Sequence, residues 1–462
     1  MKRYVVVLCM ILAAFMVVPT AVHAEGTLQA GVASADMTPE IGVPLAGYGG
    51  GKRRLDFPDL DPSNYNVLLA PSEGVLDPLI TKVVVIQSGD TKIAIVKSDA
   101  CGVPQHLVKD VAKKIKKTGI TLENLCITGT HTHSGPGAMI DSIFWSVAAV
   151  DIMDKRIYKP FVRKIADLII EADSKLQPVR IGTSTSLSFN LTRNRRKHPG
   201  VFDPMIGVFR VEALDGKPLA ILFNFAIHGT CYGSSNMKFS GDVMGVAERN
   251  IEKSMRDRNM PAMAMFINGT EGDVSPNGGK AKGAETVGNQ LGNAVTTTAL
   301  ALRAQDNVKI SVANRTIKFR KAHLNIDLWE DRDDAELDCW GIHESLKKMY
   351  PNLNDKLKIE VTGLVPMSFR LQTIRIGDSV IACMPGEALT AIGVSLKAIG
   401  KDLGFKNVFV FGLANGHMGY VCDKENFDEG GYEAMLNLYG RNQGDDIIAS
   451  FQEMFTELAD KK

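Results

Sequence analysis

The sequence predicts an α/β chain of the mixed α+β kind, with layered mixed β-sheets flanked by helices and the functional site at strand C-terminal ends. Three observations carry this. Apolar, strand-length runs recur in pairs separated by turn residues, the pattern of antiparallel hairpins. Amphipathic helical stretches lie between those pairs, so the sheet is not the purely parallel kind. The 462 residues are 45% hydrophobic and 23% charged, enough apolar material for a large core and too little charge for disorder. The balance of 53 Lys+Arg against 52 Asp+Glu leaves no basic excess for a nucleic-acid backbone.

In chain order, residues 1–24 read as a secretory signal peptide. Lys2 and Arg3 precede the apolar stretch Tyr4 to Val18, and Val22-His23-Ala24 offers a cleavage site. The stretch is shorter than the roughly 20 residues a membrane span prefers. The expectation is therefore an exported protein, secreted or periplasmic, with no integral membrane span and a catalytic domain over 25–462. Three hairpins follow. Lys82–Gln87 pairs with Lys92–Lys97 across Ser88-Gly89-Asp90-Thr91, Gly207–Glu212 with Leu219–Phe225 across Leu214-Asp215-Gly216, and Leu371–Ile376 with Val380–Cys383 across Gly377-Asp378. Leu107, Val108, Val111, Ala112 and Ile115 share one helical face, and Thr118-Gly119 ends that helix. Phe161–Ala172, Val243–Ile251 and Asp446 to Leu458 read as further helices. Residues 322–360 are charged and irregular, and read either as an inserted cap or as a solvated excursion. No internal repeat at a fixed period is visible. Six cysteines follow the leader and none forms a CxxC pair; Cys126 and Cys383, in apolar strand-like runs, are expected as buried thiols.

The sequence holds no phosphate loop of the GxxxxGK[ST] type, no GxSxG elbow and no HExxH helix. Instead, five polar clusters each follow an apolar strand. They are Thr130–Gly137 (THTHSGPG), Ala226–Thr230 with His228, Asn268–Asn277 (NGTEGDVSPN), Pro385-Gly386-Glu387, and Ala414–Tyr420 (ANGHMGY). Singly each has a bland reading: HxH is common, GDVSPN is a turn with a helix cap, and Glu387 is a carboxylate favoured at a helix start. Together they are harder to dismiss, because open α/β sheets place ligands beyond strand C-termini. Histidine nitrogen and carboxylate oxygen are also the usual ligands of a catalytic zinc ion. A zinc hydrolase is the leading reading from the residues alone.

In this order the clusters resemble the neutral/alkaline (non-lysosomal) ceramidase family. The resemblance starts at Ala35-Asp36-Met37-Thr38-Pro39 with Gly47-Tyr48-Gly49. It runs through the clusters above, with Ser240-Gly241-Asp242, to Tyr432-Glu433-Ala434. THTHSGPG and GDVSPN are its specific strings. The resemblance implies one zinc ion per chain held by His131, His228, Glu387 and Tyr420. It implies that His133 acts as acid/base or oxyanion donor, that Tyr432 contacts the substrate amide, and that Ser275 has a positioning or nucleophilic role. An arginine from Asn190–Arg196 is also expected, Arg193 and Arg195 both aligning, with Arg195 favoured. The implied reaction is hydrolysis of the N-acyl amide of ceramide to a fatty acid and a sphingoid base, on a lipid presented at a membrane or micelle surface. The alternatives are a same-family amidase for another N-acylated lipid or small amide, a binding protein that lost turnover, and a two-metal phosphoesterase. Four departures bear on the substrate. His417 and Glu271 stand where other side chains are usual, the 322–360 segment is positioned to reshape an acyl pocket, and the sequence is expected to correspond to the N-terminal catalytic domain without the family's usual C-terminal immunoglobulin-like domain.

Overall fold

All three expected hairpins form, and each opens a larger unit. The computed structural model describes residues 28–196, 202–328 and 358–460; the leader expected at 1–24 and Cys339 lie outside the described residues. Strands β1 (Gln29–Asp36), β2 (Ile80–Ser88), β3 (Thr91–Ser98) and β4 (Leu125–Gly129) alternate with helices α1 (Gln105–Lys114) and α2 (Lys155–Ser174) in the order β-β-β-α-β-α. The same order returns with β5 (Gln177–Leu187), β6 (Met205–Ala213), β7 (Pro218–Phe225), α3 (Asp242–Arg256), β8 (Met263–Asn268) and α4 (Lys280–Ala301). It returns again with β9 (Ile310–Lys318), β10 (Ser368–Ile376), β11 (Ser379–Cys383), α5 (Thr390–Asp402), β12 (Asn407–Phe411) and α6 (Gln443–Ala459). In every copy the first three strands pair antiparallel and the fourth runs parallel to the third. The fold is thus a threefold repeat that insertions of unequal length hide in the sequence.

The first two copies join along β1 and β5 into one sheet of order β8-β7-β6-β5-β1-β2-β3-β4, and the third forms its own sheet β9-β10-β11-β12. The sheets face each other over a shared core that includes Ile95, Phe209, Met265, Ile381 and Phe409. Contact there is close: a Cβ on Gly207 would lie 2.5 Å from the Phe409 ring. Each outer face is covered by its own helices, with Val96, Ile127 and Phe161 in the first copy, Phe223, Ile251 and Leu291 in the second, and Val410, Leu396 and Phe451 in the third. The β4, β8 and β12 ends then meet. Asn268 Nδ2 donates to the Thr130 carbonyl (3.0 Å), the Gly412 N–H to the Asn268 carbonyl (2.9 Å) and the Gly129 N–H to the Leu413 carbonyl (3.3 Å). A Cβ at Gly412 would sit 2.0 Å from the Gly269 carbonyl oxygen, so only glycine lets these ends touch.

A buried ionic network underpins this junction. Lys97 is wholly enclosed and pairs with Asp99 (2.8 Å) and with Glu248 of α3 (3.1 Å), which also takes Lys82 (2.9 Å). Asp99 Oδ1 accepts from the Thr130 hydroxyl (3.1 Å) and its other oxygen from the Ile80 N–H (2.8 Å), tying the network to the residue before His131.

Some expectations need correction. The α1 helix stops at Lys114, and a single tighter turn, Lys116–Thr118, carries the chain to Gly119 at φ 79°. Glu387 does not cap a helix: Glu387–Ala388 pairs in parallel with Tyr420–Val421, and α5 starts only at Thr390. The 322–360 segment has a short antiparallel stem, His323–Asn325 with Lys358–Glu360; the remainder of that expectation, 329–357, lies outside the described residues. Cys126 and Cys383 are free, buried thiols with their Sγ atoms 3.6 Å apart across the two sheets.

Removing Lys97 leaves Asp99 and Glu248 without their shared buried cation. Lys97→Met is expected to cost about 3–5 kcal/mol of unfolding free energy in urea, and a cost within about 0.5 kcal/mol, the level of a surface substitution, would contradict this account of the network.

Candidate metal centre

Each repeat contributes one acidic or imidazole group to a common point. His131 follows β4 on a left-handed backbone (φ 65°), anchored by its N–H to the Ala100 carbonyl (3.0 Å). Its Nδ1–H donates to the Cys101 carbonyl (2.7 Å), which leaves the Nε2 lone pair directed away. His228 follows β7 and repeats the device: Nδ1–H donates to the Glu271 carbonyl (2.7 Å) and Nε2 is left as the acceptor. Glu387 follows β11, and its Oε2 lies 3.2 Å from His131 Nε2 and 3.4 Å from His228 Nε2. That oxygen is buried without a hydrogen-bond partner, and the three ligand atoms lie within 4.8 Å of one another.

Three electron-rich atoms facing one buried point need a cation or a proton between them. Burial by itself would lower the His131 pKa, but the Glu387 carboxylate overrides it and raises it well above the ordinary imidazole value. Burial, then Arg195 and His131, push His228 down to about 4. Ligands about 2.0–2.2 Å from a tetrahedral zinc ion stand about 3.3 Å apart, and the separations here bracket that edge. The donor set and the carbonyl-fixed tautomers therefore suit such an ion.

Around this point the remaining candidates are disposed unequally. His133 Nε2 is 3.2 Å from His131 Nε2, and its ring packs against Tyr48 and over Gly47, where a Cβ would collide at 2.5 Å. Of the arginines in the 190–196 stretch, Arg195 is the one that reaches in. It donates to the Tyr420 hydroxyl (2.9 Å) and the Gly272 carbonyl (2.8 Å) and lies 3.4 Å from His228 Nε2. Glu433 holds it, giving one oxygen to Arg195 (2.9 Å) and the other to Arg196 (3.0 Å). Arg193 instead donates outward to the Pro276 carbonyl (2.9 Å). The Tyr432 ring stands 5.5 Å from Tyr420 at 70°. Ser275 is buried on a short strand paired with Thr192–Asn194, next to Val274, whose carbonyl accepts from the His228 N–H (3.2 Å).

A cavity of about 50 Å³ opens over the cluster. Its polar wall is His131, His133, Glu387, His417, Tyr420 and Tyr432, and its apolar wall includes Ile140, Trp145, Val150 and Leu436. Ser275 and Arg195 are not among the described residues lining it. Sequence reasoning missed several contributors. Trp145 carried no signal, and Arg53 donates to the His133 carbonyl (2.6 Å) from a wholly buried position. His417, noted only as a departure, sets its Nε2 3.2 Å from the other Glu387 oxygen, in space left by Gly102, whose Cβ would come within 2.7 Å. Glu271, the other departure, is wholly buried with both carboxyl oxygens unpartnered.

The neutral/alkaline non-lysosomal ceramidase N-terminal domain matches residues 64–299. The chain is 23% identical to neutral ceramidase A of Dictyostelium discoideum, the alignment covering 81% of this chain and 66% of that protein. It is 23% identical to the neutral ceramidase of Pseudomonas aeruginosa, over 77% of this chain and 62% of that one. It thus spans about two thirds of the length of these curated relatives. The crystal structure of the Pseudomonas aeruginosa neutral ceramidase superposes with a TM-score of 0.76 at 20% identity, covering 95% of this chain and 75% of that chain, which establishes the shared fold.

Burial raises the Glu271 pKa to about 8, with Glu387 adding to the shift and His131 opposing it. The folded chain thus keeps a proton that the unfolded chain releases near 4.5, and stability falls as pH rises through that window. In chelator-treated protein, the Tm advantage of Glu271→Gln over the parent is expected to widen from pH 5 to pH 9. A difference independent of pH would contradict the assignment.

Proposed function

The chain belongs to the neutral/alkaline non-lysosomal ceramidase family, and from that premise we propose that it hydrolyses the N-acyl amide bond of ceramide, releasing a fatty acid and a sphingoid base, with one zinc ion per chain. The observation that carries this reading is the convergence of His131, His228 and Glu387, with its unpartnered Oε2, at one buried point. Tyr420, paired in register with Glu387, would complete the ligand set. When bound, zinc supplies Lewis acidity toward the amide carbonyl and toward water.

The chain's own groups then bind, orient and move protons. His133 is held well below the ordinary imidazole pKa by burial and by the neighbouring His131 and His228, so it is neutral, and its ring N–H is available to donate to the developing oxyanion. Tyr432, on the cavity wall, donates to the developing oxyanion. Arg195 holds the Tyr420 hydroxyl, and Glu433 holds Arg195. We assign Ser275 a positioning role beside the His228 anchor, and water the role of nucleophile, because Ser275 does not line the cavity among the described residues. The leader-like residues 1–24 support export to the periplasm or the medium, and no helix of the described residues is long and apolar enough to cross a membrane. A second reading, a same-family amidase for a shorter N-acyl amide, is favoured by the narrow cavity of about 50 Å³.

Fatty-acid release from N-acylsphingosine is expected to disappear with chelation and return with zinc; turnover untouched by thorough chelation would sink the metal reading. Ser275→Ala is expected to keep its bound zinc, and acid-quenched parent enzyme to carry no acyl adduct on Ser275. A trapped acyl-serine would reverse the assignment. His417→Ala frees the second Glu387 oxygen and is expected to weaken zinc binding by roughly 10–100-fold, with partial recovery in His417→Gln; unchanged affinity by competition titration would contradict it.

A further inference from the structure

The stretch from Ile140 to Arg163 links the metal cavity to a surface of different chemistry. Ile140 lines the cavity, while its neighbour Asp141 lines an adjoining cleft of about 510 Å³ between α1 and α2. Five cations border that cleft: Lys113 and Lys114 from α1, and Lys155, Lys159 and Arg163 spaced one turn apart along α2. Its acids are Asp110 and Asp141, and Asp110 is already held by Lys113 and the Tyr158 hydroxyl, each at 2.8 Å. In a chain whose total charge nearly cancels, this is a local positive field.

Beside it the same stretch turns aliphatic side chains outward. Ile143 is 64% exposed, Val147 49% and Ile152 47%, whereas the intervening Phe144 and Trp145 face inward. Exposed aliphatic residues next to long-stemmed cations suit one partner in particular. The aliphatic groups enter the boundary between headgroups and acyl chains, and the cations stay with the phosphates. A protein partner would not need five cations together with exposed aliphatic side chains on one stretch, and a nucleic acid would gain nothing from the isoleucines.

We propose that this face docks the enzyme on an anionic phospholipid surface, with Ile143, Val147 and Ile152 inserted and the cleft between α1 and α2 over the headgroup phosphates. Ile140, Trp145 and Val150 of the same stretch line the metal cavity, so docking through this stretch brings the cavity wall to the layer in which an N-acylated lipid resides. The proposal rests on the lipid-amide reading above, since only an apolar substrate requires such an approach.

The test is cosedimentation of the full chain with vesicles of phosphatidylcholine, alone or mixed with phosphatidylglycerol. Binding is expected only to the mixed vesicles and is expected to fall steeply with salt. Attraction to an anionic surface contributes about fivefold in partition per cation, so the triple variant K155A/K159A/R163A is expected to lose roughly a hundredfold. Its hydrolysis of a detergent-solubilised short-chain N-acyl amide is expected to stay unchanged. Ile143→Ser, which removes the aliphatic group without adding a charge, is expected to lower binding without altering its salt dependence. Absence of binding to mixed vesicles at low salt, equal binding to both vesicle types, or saturable binding of inorganic phosphate without vesicle binding would overturn the proposal. Vesicle binding that persists in a chain with no amide turnover would instead remove the ceramide reading and leave the docking face standing.

Discussion

The arrangement depends on one contact that is unfavourable by itself: a buried carboxylate oxygen set against two imidazole Nε2 lone pairs. The backbone makes it unavoidable. The Cys101 and Glu271 carbonyls take the Nδ1 protons of His131 and His228, so neither ring can turn its N–H toward Glu387 without losing a hydrogen bond of 2.7 Å. A fold that holds such an arrangement carries an electrostatic cost unless a proton on His131 or a cation occupies the centre, and with a cation there the fixed tautomers become pre-organised ligands.

The repeat explains how three distant segments come to share that point. His131 follows a fourth strand, His228 and Glu387 follow third strands, and each belongs to a different β-β-β-α-β-α copy. The junction of β4, β8 and β12 fixes the copies against one another, through backbone hydrogen bonds and a glycine with no room for a Cβ. Two charged networks brace it. Lys97, Asp99 and Glu248 hold the approach to His131, and Glu433 with Arg195 and Arg196 holds Tyr420. Both are buried, so they set position more than they add net stability.

Much of this was legible in the sequence, for identifiable reasons. Hairpins were readable because turn residues and strand apolarity are local signals, and the five clusters stood out because polar residues followed each apolar strand. The repeat was not readable, because insertions such as the 319–367 stretch between β9 and β10 destroy any fixed period. The α4 helix escaped notice; it is rich in glycine and threonine, so neither propensity nor a sharp apolar stripe marks it. Glu387 was misplaced at a helix start because its two-residue pairing with Tyr420 joins positions far apart in sequence. His417 and Glu271 were noticed as departures, but their geometry against Glu387 and Gly412 arises only when three loops converge.

The most direct test of the account is anomalous diffraction at the zinc edge from crystals of the zinc-loaded protein. The account predicts one peak per chain, about 2.0–2.2 Å from His131 Nε2, His228 Nε2 and Glu387 Oε2. Zinc bound elsewhere, or a refined site in which His131 and Glu387 remain in direct hydrogen-bonded contact, would contradict it.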